Sequence, residues 1–313
     1  MKINPAATAF LFPGQGSQFV GMGRELAEAV PVARSTFEQA DDLLGYPLSE
    51  LCWNGPEEQL NQTEHTQPAL LTHAVAALRS AKEQFPELTM ASTAGHSLGQ
   101  FSALVAAGAL SFSDALFAVR ERALAMKAAG EAQPGGMVAV LGLELEAVET
   151  VCAGASQQAE GGVWVANDNC PGQVVISGDE AALELAAERL HEAGARKVVR
   201  LAVSIAAHSP LMQVAQARLN EALNSVTIRG PEVHVIGNVG AAPLPTRAAI
   251  IEDLQSQLTS RVRWTESIKL MLASGIDTFI EIGSGSVLTG LLKRIDRSAT
   301  RITIDTPETW DRI

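Results

Sequence analysis

The chain has 313 residues, 47% of them hydrophobic, enough to bury a sizeable core and too many for intrinsic disorder. With 23 Lys and Arg against 35 Asp and Glu the net charge is −12, which argues against nucleic-acid binding, because that requires basic surface. No apolar run approaches the roughly 18 to 20 residues that span a bilayer, and Met1 to Ala9 lacks the long apolar stretch of a signal peptide. Three cysteines, Cys52, Cys152 and Cys170, are odd in number and lack paired spacing. They fit a reducing, cytoplasmic setting, each as a small buried hydrophobe.

Four short β-like runs end in glycine-containing loops, and helical patterns follow them. Ala9 to Phe12 runs into Pro13-Gly14-Gln15-Gly16, and a second strand precedes Gly95-His96-Ser97-Leu98-Gly99, followed by a small-residue helix over Phe101 to Leu110. Val233 to Ile236 ends at Gly237-Asn238, and Thr278 to Ile282 ends at Gly283-Ser284-Gly285-Ser286. Strands alternating with helices predict a parallel sheet, whose ligand crevice lies at the carboxyl ends of the strands. All four loops are therefore expected to face one cleft.

Between Gln133 and Ser204 the rhythm changes. A strand over Met137 to Leu141 and a helix over Leu143 to Ala153 come first. Strands over Val163 to Val165 and Gln173 to Ile176 follow, joined by a loop through Asn167 to Gly172. Asp179 is placed to cap a helix running to Ala193, Gly194 stops it, and Lys197 to Val203 is the last strand. The order βαββαβ is that of a ferredoxin-like unit, predicted as a subdomain over 133–203 inserted in a main domain of 1–132 and 204–313.

Gly95-His96-Ser97-Leu98-Gly99 has the form Gly-x-Ser-x-Gly, which at a strand-to-helix turn holds the serine hydroxyl out and aims the next N–H at a developing oxyanion. The string alone is weak; its place between a strand and a helix strengthens it. A serine nucleophile needs a base. His96 is a poor one, since neighbours on a tight turn project apart. His65, His73 and His191 have no partner pattern, and His234 reads as a core residue within an apolar strand. His208 follows the apolar run Val203 to Ala207 where the chain returns from the insert, and is favoured. No zinc spacing, Walker lysine or complete dinucleotide fingerprint is present, so neither metal nor nucleotide cofactor is expected.

Phe12-Pro13-Gly14-Gln15-Gly16-Ser17-Gln18, the Ser97 pentapeptide and Ala207-His208-Ser209-Pro210-Leu211-Met212 resemble the malonyl-CoA:acyl carrier protein transacylases. Thr66 to Leu70, Asn169 to Gln173, Val262-Arg263-Trp264 and Glu281-Ile282-Gly283 extend the resemblance over the whole chain. It implies an α/β-hydrolase-like main domain with a ferredoxin-like subdomain, and a cytoplasmic monomer. It also implies malonyl transfer from malonyl-CoA to acyl carrier protein through a malonyl ester on Ser97, with His208 as base and no cofactor beyond the substrates. The N–H groups of Gln15 and Leu98 would hold the oxyanion, and the main-chain carbonyl of Arg263 would orient His208. Arg122 would pair with the malonyl carboxylate, although an arbitrary helical arginine faces solvent, and Gln67, Met126 and Asn169 would line the substrate site.

Three positions depart from the pattern: Gln100 where glutamate is usual, Ala207 where bulkier residues are common, and Arg261 where proline is common. A serine thioesterase or hydrolase, an acyltransferase for another extender unit and a non-catalytic carrier-binding subunit are the alternatives. Because CoA and carrier protein are anionic, a local basic rim is expected from Lys293, Arg294 and Arg297 and from Arg196, Lys197 and Arg200 of the insert.

Overall fold

The computed structural model describes residues 3–312; Met1, Lys2 and Ile313, which the sequence-based boundaries and the Met1 to Ala9 stretch include, lie outside them. Five parallel strands form the main sheet: β1 (Thr8–Phe12), β2 (Ser92–Gly95), β7 (His234–Ile236), β8 (Thr278–Ile282) and β9 (Thr300–Ile304), in the order β7-β2-β1-β8-β9. Every residue of β1 and β8 is buried, as a parallel sheet covered on both faces requires. The first, second and fourth expected strands are present. The third is shorter than expected, and as an edge strand it leaves His234 exposed, so His234 is not a core residue. The fifth, β9, has a fainter signature: only Ile302 and Ile304 turn inward, alternating with Arg301 and Thr303.

Nine helices position the site: α1 (Thr63–Gln84), α2 (Gly99–Ala106), α3 (Phe112–Ala132), α4 (Leu145–Gln158), α5 (Glu180–Glu192), α6 (Gln213–Asn224), α7 (Arg247–Leu254), α8 (Trp264–Ala273) and α9 (Val287–Ile295). A second, antiparallel sheet of order β4-β5-β3-β6 is built from β3 (Gly135–Leu141), β4 (Val163–Cys170), β5 (Gln173–Asp179) and β6 (Lys197–Arg200). With α4 and α5 it encloses its own core of Val138, Val140, Val148, Cys152, Ile176, Leu183 and Leu190, and the element order is the expected βαββαβ.

The largest difference from expectation is in β4. Asn167 to Cys170, expected as loop, continues the strand, with register shifts at Val165/Asn167 and Asp168/Cys170. These polar residues are held because Asp168 donates its N–H to the Val262 carbonyl at 3.0 Å while Val262 donates to Ala166 at 2.8 Å. β6 ends at Arg200, before the expected Val203. Asp179 does stand before α5, but its carboxylate accepts from the Gly162 N–H and Gln133 instead of the helix. Gly194, with φ 92°, follows the end of α5 as expected.

Candidate active site

The turn between β2 and α2 is dictated by its glycines. A Cβ on Gly95 would lie 1.9 Å from the Gly99 carbonyl carbon, and one on Gly99 would lie 2.1 Å from the Phe12 carbonyl oxygen. Only hydrogen fits at either position, so strand and helix close tightly and Ser97 is driven to φ 52°. Asn238, at the end of β7, holds this conformation: its Oδ1 accepts the Ser97 N–H at 2.7 Å and its Nδ2 donates to the Gly95 carbonyl at 2.8 Å. Gly14 lets the β1 loop lie on the same turn, since a Cβ there would meet the His96 carbonyl at 2.4 Å. Three of the four glycine loops thus converge on Ser97. The fourth leaves the same end of the sheet but packs against Ala74 of α1, and Gly285 donates its N–H to Asp305.

Ser97 Oγ lies 2.8 Å from His208 Nε2. The His208 Nδ1 faces two main-chain carbonyls, Gln257 at 2.9 Å and Ser260 at 3.2 Å. Carbonyls only accept, so Nδ1 carries the proton and Nε2 presents a bare lone pair to the serine hydroxyl. Burial, and after it the nearby Arg122 charge, pull His208 down to about 3, so it is neutral at pH 7 and ready to take a proton. The orienting carbonyls are therefore those of Gln257 and Ser260, not that of Arg263 as expected. The Arg263 carbonyl accepts from the N–H and hydroxyl of Ser267 because Arg263 caps α8, and its first turn claims that oxygen.

Arg122 is 1% exposed and reaches the nucleophile from α3. Its Nη2 donates to Ser97 Oγ at 3.0 Å and to Gln257 Oε1 at 3.1 Å, and its Nη1 donates to Gln67 Oε1 at 2.7 Å. None of the ion pairs among the described residues includes it, and its Nε has no acceptor. Burial lowers Arg122 to about 9, which leaves it charged at neutral pH. A buried cation with unused donors is a receptor for a carboxylate.

The remaining expected residues surround this centre. Leu98 is 1% exposed, and neither its N–H nor that of Gln15 has a main-chain or side-chain acceptor among the described residues. Gln67 Nε2 contacts Met126 Sδ at 3.3 Å and Gln15 Oε1 at 3.5 Å. Asn169 Oδ1 lies 2.8 Å from His96 Nε2, and this contact with Trp264 beside it fixes His96 out of reach of the base role. His73, which had no partner pattern in the sequence, has its Nε2 3.2 Å from Asp305 Oδ1. The six basic rim candidates are all exposed; Arg200 pairs with Glu180, and Arg294 bonds Gln173 and the Pro171 carbonyl of the insert. No motif marked Gln257, Asn238 or Asp253; only Asn238 had a signal, its place at a predicted strand end. Among the described residues no group of three His, Cys, Asp or Glu side chains is placed to hold a metal ion.

Comparison with known proteins agrees with this chemistry. Residues 9–305 match the acyl transferase domain. The malonyl CoA-acyl carrier protein transacylase of Bacillus subtilis is 48% identical over 301 residues, 96% of this chain and 94% of that protein. The transacylase of Escherichia coli K12 is 42% identical over 96% of each chain. The crystal structure of the malonyl-CoA:acyl carrier protein transacylase of Xanthomonas oryzae superposes with a TM-score of 0.94 at 44% identity, covering 99% of this chain and 98% of that one. A malonyl-transacylase solved in complex with a type II polyketide acyl-carrier protein superposes at 0.92, with 39% identity over 96% of this chain and 97% of that one. With Ser97, His208 and Arg122 meeting in one centre, the chain belongs to the acyl transferase family, among the malonyl-CoA:acyl carrier protein transacylases.

Proposed function

We propose that the enzyme transfers a malonyl group from malonyl-CoA to the phosphopantetheine thiol of acyl carrier protein through a malonyl ester on Ser97. The observation that carries this reading is the position of Ser97 Oγ between His208 Nε2 and a buried Arg122 that has no carboxylate partner among the described residues. Ser97 Oγ attacks the thioester carbon as its proton passes to His208 Nε2; the tetrahedral oxyanion is met by the N–H groups of Gln15 and Leu98. Its collapse breaks the carbon–sulfur bond, and His208 returns the proton to the CoA thiolate. In the second half the carrier thiol loses its proton to His208 and attacks the ester carbon; the bond to Ser97 Oγ breaks, and His208 returns the proton to the serine. Arg122 binds the free carboxylate of the malonyl group, with Gln67 fixing its other edge and Met126 and Asn169 lining the site.

The Gln257 and Ser260 carbonyls take the place that an aspartate has in a triad: they fix the tautomer without supplying a negative charge. We assign the two sheets to an α/β-hydrolase-like main domain (1–132 and 204–313) and a ferredoxin-like subdomain (133–203). We also read the enzyme as a cytoplasmic monomer with no cofactor beyond its substrates, its three buried free cysteines fitting a reducing compartment. The exposed Arg196, Lys197, Lys293 and Arg297 are the rim charges available to steer an acidic carrier protein.

Incubation with malonyl-CoA should leave a malonyl mass addition on Ser97 that holo carrier protein removes. Free malonate without carrier acylation would assign a hydrolase instead, and no adduct would overturn both. Arg122→Ala should depress malonyl turnover by about 10² while raising relative use of acetyl-CoA, because a lost charged pair costs about 3 kcal/mol.

A further inference from the structure

The cation of Arg122 is buried without an adjacent anion among the described residues, yet the site behind it ends in one. Asp253 of α7 is 7% exposed, and its Oδ2 accepts from Gln100 Nε2 at 2.7 Å. Gln100 Oε1 in turn accepts from Gln257 Nε2 at 2.5 Å, and Gln257 Oε1 accepts from Arg122 Nη2 at 3.1 Å. A carboxylate can only accept and a guanidinium can only donate. The two amides between them can therefore be satisfied in one direction only, each showing NH₂ toward Asp253 and C=O toward Arg122. Dipoles aligned in this way polarise one another inside a low-dielectric interior.

The other bonds of the chain point to the same origin. Asp253 Oδ1 and Oδ2 also accept the backbone N–H groups of Val239 and Asn238, and Gly237 leaves the room, since a Cβ there would lie 2.5 Å from Oδ1. Burial raises Asp253, while the bonds from Gln100 and the backbone oppose it, so the donors favour the ionised form. Gln257 uses its second amide hydrogen on the Ser97 carbonyl at 3.1 Å and its main-chain carbonyl on His208 Nδ1. One glutamine thus contacts the nucleophile, the base and Arg122.

We propose that Asp253 is the buried counter-charge of Arg122, coupled to it through the side chains of Gln100 and Gln257, and that this indirect pairing aligns the guanidinium while leaving its outer donors free for a substrate carboxylate. A carboxylate in direct contact would hold Arg122 equally well but would compete with malonyl for the same donors. Two intervening amides remove the competition and keep the alignment. Asp253 acts here as a positioning residue, and the inference rests on the reading of Arg122 as the carboxylate-binding residue.

The test compares acylation of Ser97 by malonyl-CoA with acylation by acetyl-CoA, which has no free carboxylate. Asp253→Asn should raise the KM for malonyl-CoA about tenfold, the scale of one weakened charged hydrogen bond, with a smaller change for acetyl-CoA. Gln100→Leu cuts the chain of amides while leaving the backbone contacts of Asp253 in place, and should give the same malonyl-selective loss. The double variant Gln100→Glu, Asp253→Asn moves the charge one link nearer Arg122 and should recover most of the lost preference. Equal losses for both substrates, or no recovery in the double variant, would reduce Asp253 to a support for the Asn238 loop and overturn the proposal. Failure of wild-type protein to favour malonyl-CoA would instead overturn the reading of Arg122, so the two failures are distinguishable.

Discussion

The two halves of the reacting pair are built in opposite ways. Ser97 is set first by local sterics: two glycines among five consecutive residues, whose missing side chains let strand and helix meet, put its backbone at φ 52°, where Asn238 holds it. His208, at φ 60°, has its ring held from a distance, by carbonyls some 50 residues further along the chain, at Gln257 and Ser260. The nucleophile's turn is shaped within a short segment and then held by Asn238, whereas the base is positioned by distant segments alone. Damage to the first should act through backbone geometry, and damage to the second through polar contacts.

Gly99→Ala is the severest test of the local half. Its Cβ would meet the Phe12 carbonyl at 2.1 Å, and because both partners are backbone nothing can swing aside. A loss of about 4 kcal/mol or more in denaturant unfolding is expected, and a near-normal midpoint would break the contrast. His208→Ala tests the distant half and should cut single-turnover malonylation by about 10² to 10⁴ with the fold retained.

The pH dependence sharpens the distinction. His208 sits near 3 in the fold and near its ordinary 6.5 when unfolded, so the unfolded chain binds the extra proton first. The stability that its neutral burial confers is present above pH 6.5 and drains as the pH falls from there toward 3. Over the same window the base stays unprotonated, so the acid limb of malonylation should lie well below pH 6.5; a limb centred at 6.5 would mean that His208 is solvated. The smallest effect belongs to Arg261, whose partly exposed guanidinium pairs with Glu149 of α4 at 2.5 Å. That pair gives this departure from the usual proline a partner on the insert. Arg261→Ala should change stability by no more than about 1 kcal/mol, checked by a double-mutant cycle with Glu149.

The same contrast explains what was legible in the sequence. Ser97 and its glycines stand in one contiguous pattern, and the apolar runs of β1 and β8 declare a buried parallel sheet. The insert's order was equally plain, because each of its elements carries its own periodicity. His208 needed the resemblance as well as its position. Arg263 was misplaced as the orienting carbonyl because every residue has a carbonyl and nothing in a side chain says which one faces an imidazole. Gln257 and Asp253 left no trace for a related reason: a buried glutamine or aspartate declares its partners only after distant segments meet. The polar run Asn167 to Cys170 read as loop because its second partner, Val262, lies nearly 100 residues away.

The placement of β1 also sets an order in time. The centre of the main sheet is the first strand of the chain, flanked by β2 and by β8, which begins only at Thr278. During synthesis β1 must wait for nearly the whole polypeptide before its second edge is covered, and such long-range parallel pairing is slow. The strands and helices of the second sheet, by contrast, lie within Gly135–Arg200 and close on their own core. In a refolding time course amide protection should therefore arise first in β3, β4 and β5 and last in β1 and β8, so that the machinery for acyl transfer is assembled only when the final parallel strands have docked.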